Sequence, residues 1–449
     1  MRTFRLLFKD KKFAVIFLAS ICMFLYYLSF NYKVSYYDEI GYIGISKNIL
    51  AQGLFNINES LRTYLYPLII SCISIFTNGD IAVIKIGMSI FQYLFYVYTI
   101  CLLGISFYEF CNKKIVCYGI LFFGLLNPYL IQSSTLLLTD LMSACCVILA
   151  LVYLVFGDFD KNKTYLMIFT YSYIGTMIRP SAIVFIPIII VLLTIRKIII
   201  KDVNILKSLV FCVSALIIFF PQLYNNVKQF NDWTPLLHAD LYDFQSNLAA
   251  SNLKYGTVVI PNENAQLFFP SPYLLDSSES NIFKLIFTNF PAFILAYSSH
   301  LFGVLDWGYI DTYIKDYYPI SRIIGSLFLY LFWITSLYGV YFFIKKNELK
   351  SGRFIALSFL CSFILYWGFI GTTIIESRFG YPLFMLLLPF SGWSIQYCMD
   401  YWKSENINKS LKVKKAIKYS LIFIIVILLT FYLSFLLDYQ TGRINWLGF

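Results

Sequence analysis

The sequence contains few charged residues and almost no histidine, and both shortages narrow the class of protein it encodes. Only 13% of its 449 residues are charged, and only His238 and His300 are histidines. Soluble domains carry about one quarter charged residues, so an ordinary soluble core is excluded. A His-rich metal site is likewise not expected.

Cysteine is present, but not in a pattern that forms a disulfide framework or a zinc site. The ten cysteines lie mostly in apolar segments, none falls between Asn225 and Ile320, and no pair has C-x-x-C spacing. We therefore expect neither disulfide staples nor a structural zinc ion. The first apolar run lacks a small-residue cleavage site and further runs follow it, so we expect no cleavable signal peptide.

Apolar and aromatic residues dominate the chain. Hydrophobic residues make up 59% of it and aromatic residues 20%, and the mean hydropathy is +0.71. This composition is typical of an integral membrane protein. The net charge of +11 comes from basic residues spread over short loops, which indicates membrane orientation and not nucleic-acid binding.

The pattern predicts an all-α polytopic membrane protein with about eleven transmembrane helices, each close to the length that crosses a bilayer. Asp38 and Pro67 begin two shorter helices, which we expect to lie along the membrane surface; Gly53 ends the first of them. The predicted spans are 13–30, 81–104, 115–133, 134–156, 164–178, 180–195, 207–224, 321–344, 353–373, 380–398 and 417–437.

The distribution of basic residues predicts the orientation of these spans, and the spans and loops divide the chain into three regions. About two thirds of the Lys and Arg residues fall in loops that face the side of the N-terminus, which places the N-terminus in the cytoplasm. We expect an N-terminal transmembrane module (1–224) whose first outside loop is 31–80, an outside region (225–320) and a C-terminal transmembrane module (321–449). The apolar stretch 285–304 is interpreted as a surface or partly inserted helix, because a crossing there would reverse the loops that follow.

Three acidic residues stand at the outer edge of these predicted spans. Asp38 and Glu39 follow the first span, and Asp140 is the single charge in a long apolar helix, about one to two turns below the surface. Acidic residues at such positions are costly and usually functional. The structural alternatives are an N-cap role for Asp38 and a local hydrogen bond between Thr139 and Asp140.

Basic residues recur at the same predicted depth. They are Lys85, Arg179, Arg322 and Arg378. Any one of them can reach the interface simply to solvate its charge, which is the preferred interpretation for Arg322. Several cations near two or three acids at one face indicate an anionic ligand, and phosphate at a membrane surface is the obvious one.

The order of these motifs resembles that of polytopic glycosyltransferases of the GT-C class. The bacterial branch related to lipid A aminoarabinose transferases and protein mannosyltransferases is the most similar. The resemblance covers the motifs of the first 200 residues; over the remainder only the order of spans and loops is similar. The segments that carry it are Asp38-Glu39 with Tyr42, Tyr66-Pro67, Pro128 to Asp140, Arg179-Pro180 and Arg378 to Pro382.

The resemblance implies transfer of a sugar from a polyprenyl-phosphate donor to a glycan, lipid or protein acceptor outside the bacterial cytoplasmic membrane. It implies that Asp38 is the general base or orients the acceptor, that Asp140 is the second acid and that Glu39 is a companion acid. It places Lys85, Arg378 and Arg179 at the donor phosphate. The further residues assigned to substrate binding are Arg62, Tyr66, Tyr42 and His300.

Some features keep alternatives open. Phe379 stands where the resembled family usually has Tyr, and a divalent ion bridging Asp38 and Asp140 is not required but is compatible with the pattern. An O-antigen-type polymerase would carry an arginine-rich outside loop, whereas 225–320 has no Arg. A transporter or flippase would show repeats or a polar path through the membrane, and neither is evident.

Overall fold

The computed structural model describes residues 10–260, 263–273, 281–307, 319–346, 349–404 and 409–440. Nearly all regular structure in these ranges is α-helical, which confirms the predicted fold class. One antiparallel hairpin, which the sequence pattern did not predict, pairs β1 (Asn252–Ile260) with β2 (Glu263–Pro270), with an irregularity between Asn252 and Lys254.

Between residues 10 and 230, all of which the structure describes, the chain forms eleven α-helices. Their ends follow local chemistry: Asp80 accepts hydrogen bonds from the amides of Ala82 and Val83 at the start of α4, and Asn112 ends that helix in the left-handed conformation, with φ 52°. The helices are α1 (Lys11–Asn31), α2 (Tyr37–Gln52), α3 (Leu65–Ile75), α4 (Ile81–Cys111), α5 (Lys114–Leu125), α6 (Pro128–Ser133), α7 (Asp140–Phe156), α8 (Asn162–Ile178), α9 (Phe185–Ile199), α10 (Ile205–Ala215) and α11 (Phe220–Phe230).

In the described residues after 230, one α-helix precedes the hairpin in the chain and six follow it. A 3₁₀ turn, Ser377–Gly380, precedes the second-to-last of them. They are α12 (Leu241–Ser251), α13 (Ile282–Thr288), α14 (Phe290–Gly303), α15 (Pro319–Lys346), α16 (Lys350–Ile370), α17 (Tyr381–Lys403) and α18 (Lys409–Gln440).

Seven helical segments of the described ranges are long and apolar enough to cross a membrane, so the chain is a multi-pass membrane protein. Shorter apolar helices accompany them, among them α5 and α7. Within 285–304 the chain forms α13 and α14, and neither approaches the roughly 20 residues that a crossing requires. The segments are Lys11–Asn31, Ile81–Cys111, Pro180–Ile199, Ile205–Phe230, Ile323–Lys346, Lys350–Ile370 and Ile417–Ser434.

Three local predictions need correction. The span predicted at 115–133 is two helices, because Asn127 caps α6 and Pro128 begins it. The span predicted at 134–156 begins at Asp140, so this residue opens its helix and does not lie within it. Asp38 is not an N-cap, because α2 starts at Tyr37; Gly53, with φ +87°, ends α2 as predicted.

The described chain divides into two compact units. The first comprises Met1–Leu241, Asn347–Tyr366 and Tyr381–Leu386, and the second comprises Tyr242–Lys346, Trp367–Gly380 and Leu387–Phe449. The three-part division predicted from sequence stays a prediction. In the first unit a buried core joins α2, α3, α4, α7 and α8; its members are Ile43, Tyr66, Ile70, Ile84, Met88, Leu137, Met142, Cys146 and Ile178.

Candidate active site

Asp38 lies in the first turn of α2, where it faces a guanidinium. Its Oδ1 is 3.4 Å from Nη2 of Arg62, and both side chains retain about a quarter of their exposure. The same guanidinium lies 5.2 Å from the centre of the Tyr42 ring. Asp38 is therefore a paired carboxylate that solvent or a ligand can still reach.

Glu39, the adjacent acid, is in contrast fully buried. Its carboxylate lies 2.7 Å from Nζ of Lys85, whose side chain is also completely inaccessible. It also accepts hydrogen bonds from the backbone amides of Tyr36 at 2.8 Å and Leu137 at 2.7 Å. Burial raises the pKa of Glu39, while the Lys85 ammonium and these hydrogen bonds lower it.

The non-helical segment 134–139 leads to Asp140 and is held by amide side chains. Nε2 of Gln92 donates to the carbonyls of Ser134, at 3.2 Å, and Leu136, at 2.8 Å. Nδ2 of Asn31 donates to the Thr135 hydroxyl at 2.8 Å. These bonds replace the helical hydrogen bonds that the segment lacks.

Asp140 begins α7 and forms an ion pair with Arg179, the residue that links α8 to the following 3₁₀ turn. The Asp140 side chain is buried, whereas Arg179 is partly exposed and also donates from Nε to the Ser181 hydroxyl at 3.0 Å. The position at a helix N-terminus favours a negative charge. Asp140 therefore has a cationic partner in the structure.

Tyr42 connects the two aspartates. Burial raises its pKa most, and the negative charges of Asp38 and Asp140 raise it further, while a hydrogen bond with Thr139 and the charge of Arg62 lower it. Its ring meets that of Tyr66 edge-on, with centroids 5.0 Å apart. Tyr42 is partly buried and both carboxylates influence it; that Asp38 and Asp140 belong to one catalytic site stays a prediction.

Arg378 and His300 belong to the second unit. Arg378 forms an ion pair with Glu376: Nη2 donates to Oε1 at 3.2 Å, and Nε lies 2.8 Å from Oε2. His300 is buried on α14, with Nδ1 3.0 Å from the carbonyl of Gly371 and Nε2 2.9 Å from that of Asn252. Their assignment to substrate or donor stays a prediction.

Sequence reasoning missed the amide side chains that support this region. Oε1 of Gln222 accepts from the amide of Tyr64 at 3.1 Å, and Asn225 bonds the backbone of both Leu54 and Ile57. These α11 residues fix the loop that carries Arg62. Several polar amides at the end of an apolar helix were the available signal, because buried amides require partners.

The sequence names Asp38 and Asp140 as candidate ligands of a divalent metal ion. Within the part of the chain that the structure describes, no group of three or more His, Cys, Asp or Glu side chains could hold a metal ion. Magnesium-like ions commonly take only one or two carboxylates and complete their shell with water and substrate phosphate. In the structure each of the two aspartates pairs with an arginine, and their role as ligands stays a prediction.

Gly41 gives a way to move Arg62 without changing a charge. A Cβ at Gly41 would lie 2.8 Å from Cζ of Arg62, whereas a Cβ at Gly44 meets nothing within 4 Å. Exposed ion pairs contribute about 0.2–1 kcal/mol, so we expect Gly41→Ala to slow the reaction of this site by at most about fivefold. Gly44→Ala is the control in a rate assay, and equal rates for the two variants would contradict a role for the Arg62 position.

His300 predicts a pH dependence of stability. Burial lowers its pKa, which the two carbonyl contacts oppose. The unfolded chain therefore binds this proton at higher pH than the fold does, so stability is complete above about pH 6.5 and decreases as the pH falls toward the folded pKa. We expect thermal unfolding between pH 7.5 and 5 to show a smaller loss in His300→Gln than in wild type. His238→Gln, at a partly exposed site, should retain the wild-type loss, and equal slopes for all three proteins would contradict the prediction.

Comparison with known proteins identifies the fold. No family model and no curated protein matches the sequence. Among solved structures, the oligosaccharyltransferase of Archaeoglobus fulgidus in its apo form matches with a TM-score of 0.54 at 12% identity, covering 96% of this chain and 56% of that one. The expected GT-C fold of a polytopic membrane glycosyltransferase is therefore confirmed.

Two further structures of the Archaeoglobus fulgidus enzyme match equally well. Its complex with an inhibitory peptide and a dolichol-phosphate has a TM-score of 0.53 at 12% identity, with 96% of this chain and 56% of that chain covered. Its complex with Zn and sulfate has a TM-score of 0.54 at 13% identity, with 95% and 52% covered. The chain thus spans about half the length of these enzymes.

Proposed function

We propose that this protein is a membrane glycosyltransferase that moves a hexosyl or pentosyl group from a polyprenyl-phosphate donor to an envelope acceptor. The carrying observation is that Asp38 and Asp140, both in the first unit, each face an arginine that keeps part of its exposure. The fold supports it, since a structural neighbour with that fold was solved with a dolichol-phosphate. The acceptor is a glycan, lipid or protein.

The accessible carboxylate suits the acceptor. Asp38 retains 26% of its side-chain exposure, so an acceptor hydroxyl can reach it and transfer its proton as the new bond forms. The acceptor oxygen attacks the anomeric carbon, and the bond from that carbon to the phosphate oxygen breaks, leaving its electron pair on the phosphate. A single displacement of this kind inverts the anomeric configuration, and general-base assistance contributes about 10² to 10⁴ in rate.

The ion pair between the buried Asp140 and Arg179 would stabilise the charges that develop in the transition state. Positive charge develops on the sugar as negative charge develops on the phosphate, and groups fixed in advance stabilise both. Asp140 is held in place by Arg179, and we assign it to the sugar side. Arg62 and Arg179 keep part of their surface, which suits contact with the anion, and Tyr42 would line the sugar pocket. Tyr66 is fully buried, and its hydroxyl donates to Oε1 of Gln92 at 3.0 Å, so it would support Tyr42 from behind. The assignments of Arg378 to the donor phosphate and of His300 to substrate rest on the resemblance alone.

A divalent ion is compatible with this proposal. Asp38 and Asp140 would hold it, and it would neutralise charge on the departing phosphate. Arg62 and Arg179 would then turn from the carboxylates toward the phosphate, which is the movement that an anionic ligand would favour in any case.

The proposed setting is the bacterial cytoplasmic membrane. The basic loops favour a cytoplasmic N-terminus, with the acidic motif on the outer side. Donor and acceptor would meet there, because a polyprenyl chain remains in the bilayer while its sugar phosphate reaches the surface.

Mass spectrometry of envelope glycans tests the function. Cells that lack the gene should lose one sugar residue, which wild type restores and Asp38→Asn or Asp140→Asn does not, at equal membrane levels. Asp160→Asn, in an exposed turn, is the matched control and should restore the sugar. Full restoration by both Asp38→Asn and Asp140→Asn would overturn the proposal.

A further inference from the structure

Glu39 joins three separate parts of the first unit through one carboxylate. Oε2 accepts from the amide of Tyr36 at 2.8 Å and from the ammonium of Lys85 at 2.7 Å, and Oε1 accepts from the amide of Leu137 at 2.7 Å. These donors come from the start of α2, from α4 and from the segment that precedes α7. No two of the segments are adjacent in the chain.

The Lys85 ammonium also has its partners within the protein. Its ammonium contacts Glu39 and the carbonyl of Val34, and its side chain is completely buried. A buried ion pair contributes little net stability, because the desolvation of both charges offsets their attraction. Such a pair is therefore better explained by what it holds in place than by the stability that it adds.

The three contacts lie next to the two aspartates. Asp38 directly precedes Glu39, and Leu137 lies three residues before Asp140. Segment 134–139 is not helical, and Glu39 holds it from outside through the amide of Leu137. Moving Glu39 would therefore move both acids relative to each other.

We propose that Glu39 and Lys85 form a positioning pair that fixes Asp38 and Asp140 in one frame, and that neither side chain contacts the sugar or the phosphate. This role rests on the proposed function of the two aspartates. It differs from the roles implied by the family resemblance, in which Lys85 binds the donor phosphate and Glu39 is a companion acid.

Kinetic measurements on variants that lack the charge of Lys85 distinguish a positioning role from binding of the donor phosphate. For a positioning pair, Lys85→Met leaves the Glu39 charge buried without compensation, so kcat should fall at least tenfold while KM for a polyprenyl-phosphate sugar changes less than threefold. The double variant Glu39→Gln/Lys85→Met removes both charges and should recover at least a tenth of the wild-type kcat, more than either single variant. A large rise in donor KM with kcat retained, and no recovery in the double variant, would overturn the proposal and identify Lys85 as a phosphate ligand.

Hydrogen exchange tests the positioning without any sugar transfer. The amides of residues 136–140 should exchange at least tenfold faster in Glu39→Gln than in wild type, with partial recovery of protection in the double variant. Asp160→Asn should match wild type. Unchanged exchange in Glu39→Gln would overturn the positioning role even if Asp38 and Asp140 prove essential. Faster exchange in a chain whose Asp38→Asn and Asp140→Asn forms stay active would instead refute the proposed function.

Discussion

Replacing Asp38 with asparagine should slow sugar transfer by about 10² to 10⁴-fold, because the amide cannot take the acceptor proton. The substitution keeps the shape of the side chain, and Asp38 is partly exposed, so the amount of folded protein should not change. The measurement is kcat on a purified polyprenyl-phosphate sugar with a saturating acceptor.

Two companion variants define this result. Asp160→Asn should keep the wild-type kcat, because Asp160 is exposed in a turn outside the site. Asp38→Glu should keep more activity than Asp38→Asn, because it retains a carboxylate at a shifted position. If Asp38→Asn keeps more than half of the wild-type kcat, Asp38 is not the base, and its role reduces to its pairing with Arg62.

Replacing Arg196 with alanine should destabilise the first unit by about 1–3 kcal/mol, because the carbonyls of Leu154 and Val155 lose the charged donor that they share. Nη1 of Arg196 donates to the carbonyls of Leu154 at 2.6 Å and Val155 at 2.8 Å, and Nε lies 3.0 Å from Asp202. Thermal unfolding in detergent, followed by tryptophan fluorescence, measures the loss.

Lys197 provides the control for this variant. It lies in the same last turn of α9 but is only partly buried, so Lys197→Ala should change stability by no more than about 0.5 kcal/mol. The Arg196 contacts lie at the C-terminal end of α7, roughly 21 Å along the helix from Asp140 at 1.5 Å per residue. The Arg196→Ala protein that remains folded should therefore transfer sugar at the wild-type rate. A similar loss of stability in both variants would contradict the account.

The long helices and the acids at their ends could be predicted because their signals are local. Apolar length alone located most of the spans, and a carboxylate beside an apolar run is conspicuous at any position. Proline was the local signal that the prediction used incompletely: Pro128 begins a helix inside the span predicted at 115–133, and Pro180 begins a 3₁₀ turn. The gathering of Asp38 and Asp140 in one site was inferred by placing both near the same membrane boundary, and it stays a prediction.

Which cation meets which acid could not be predicted. Lys85 and Arg179 were predicted to bind one anion and Arg62 to bind substrate, yet the structure pairs each with a different carboxylate. Such choices depend on angstrom-scale geometry between distant segments, which spacing along the chain does not encode. The helices that begin at Tyr37 and Asp140 do not start where the sequence predicted, for a similar reason. Glu39 accepts hydrogen bonds from the amides of Tyr36 and Leu137, and these long-range bonds override the local helix propensity.

Release of polyprenyl phosphate from a polyprenyl-phosphate sugar by the purified protein, in the presence of an envelope acceptor extract, tests the central claim most directly. We predict steady release by wild type and by Asp160→Asn, and release at the protein-free background by the Asp38→Asn/Asp140→Asn double variant. Release by the double variant at the wild-type rate would contradict the account.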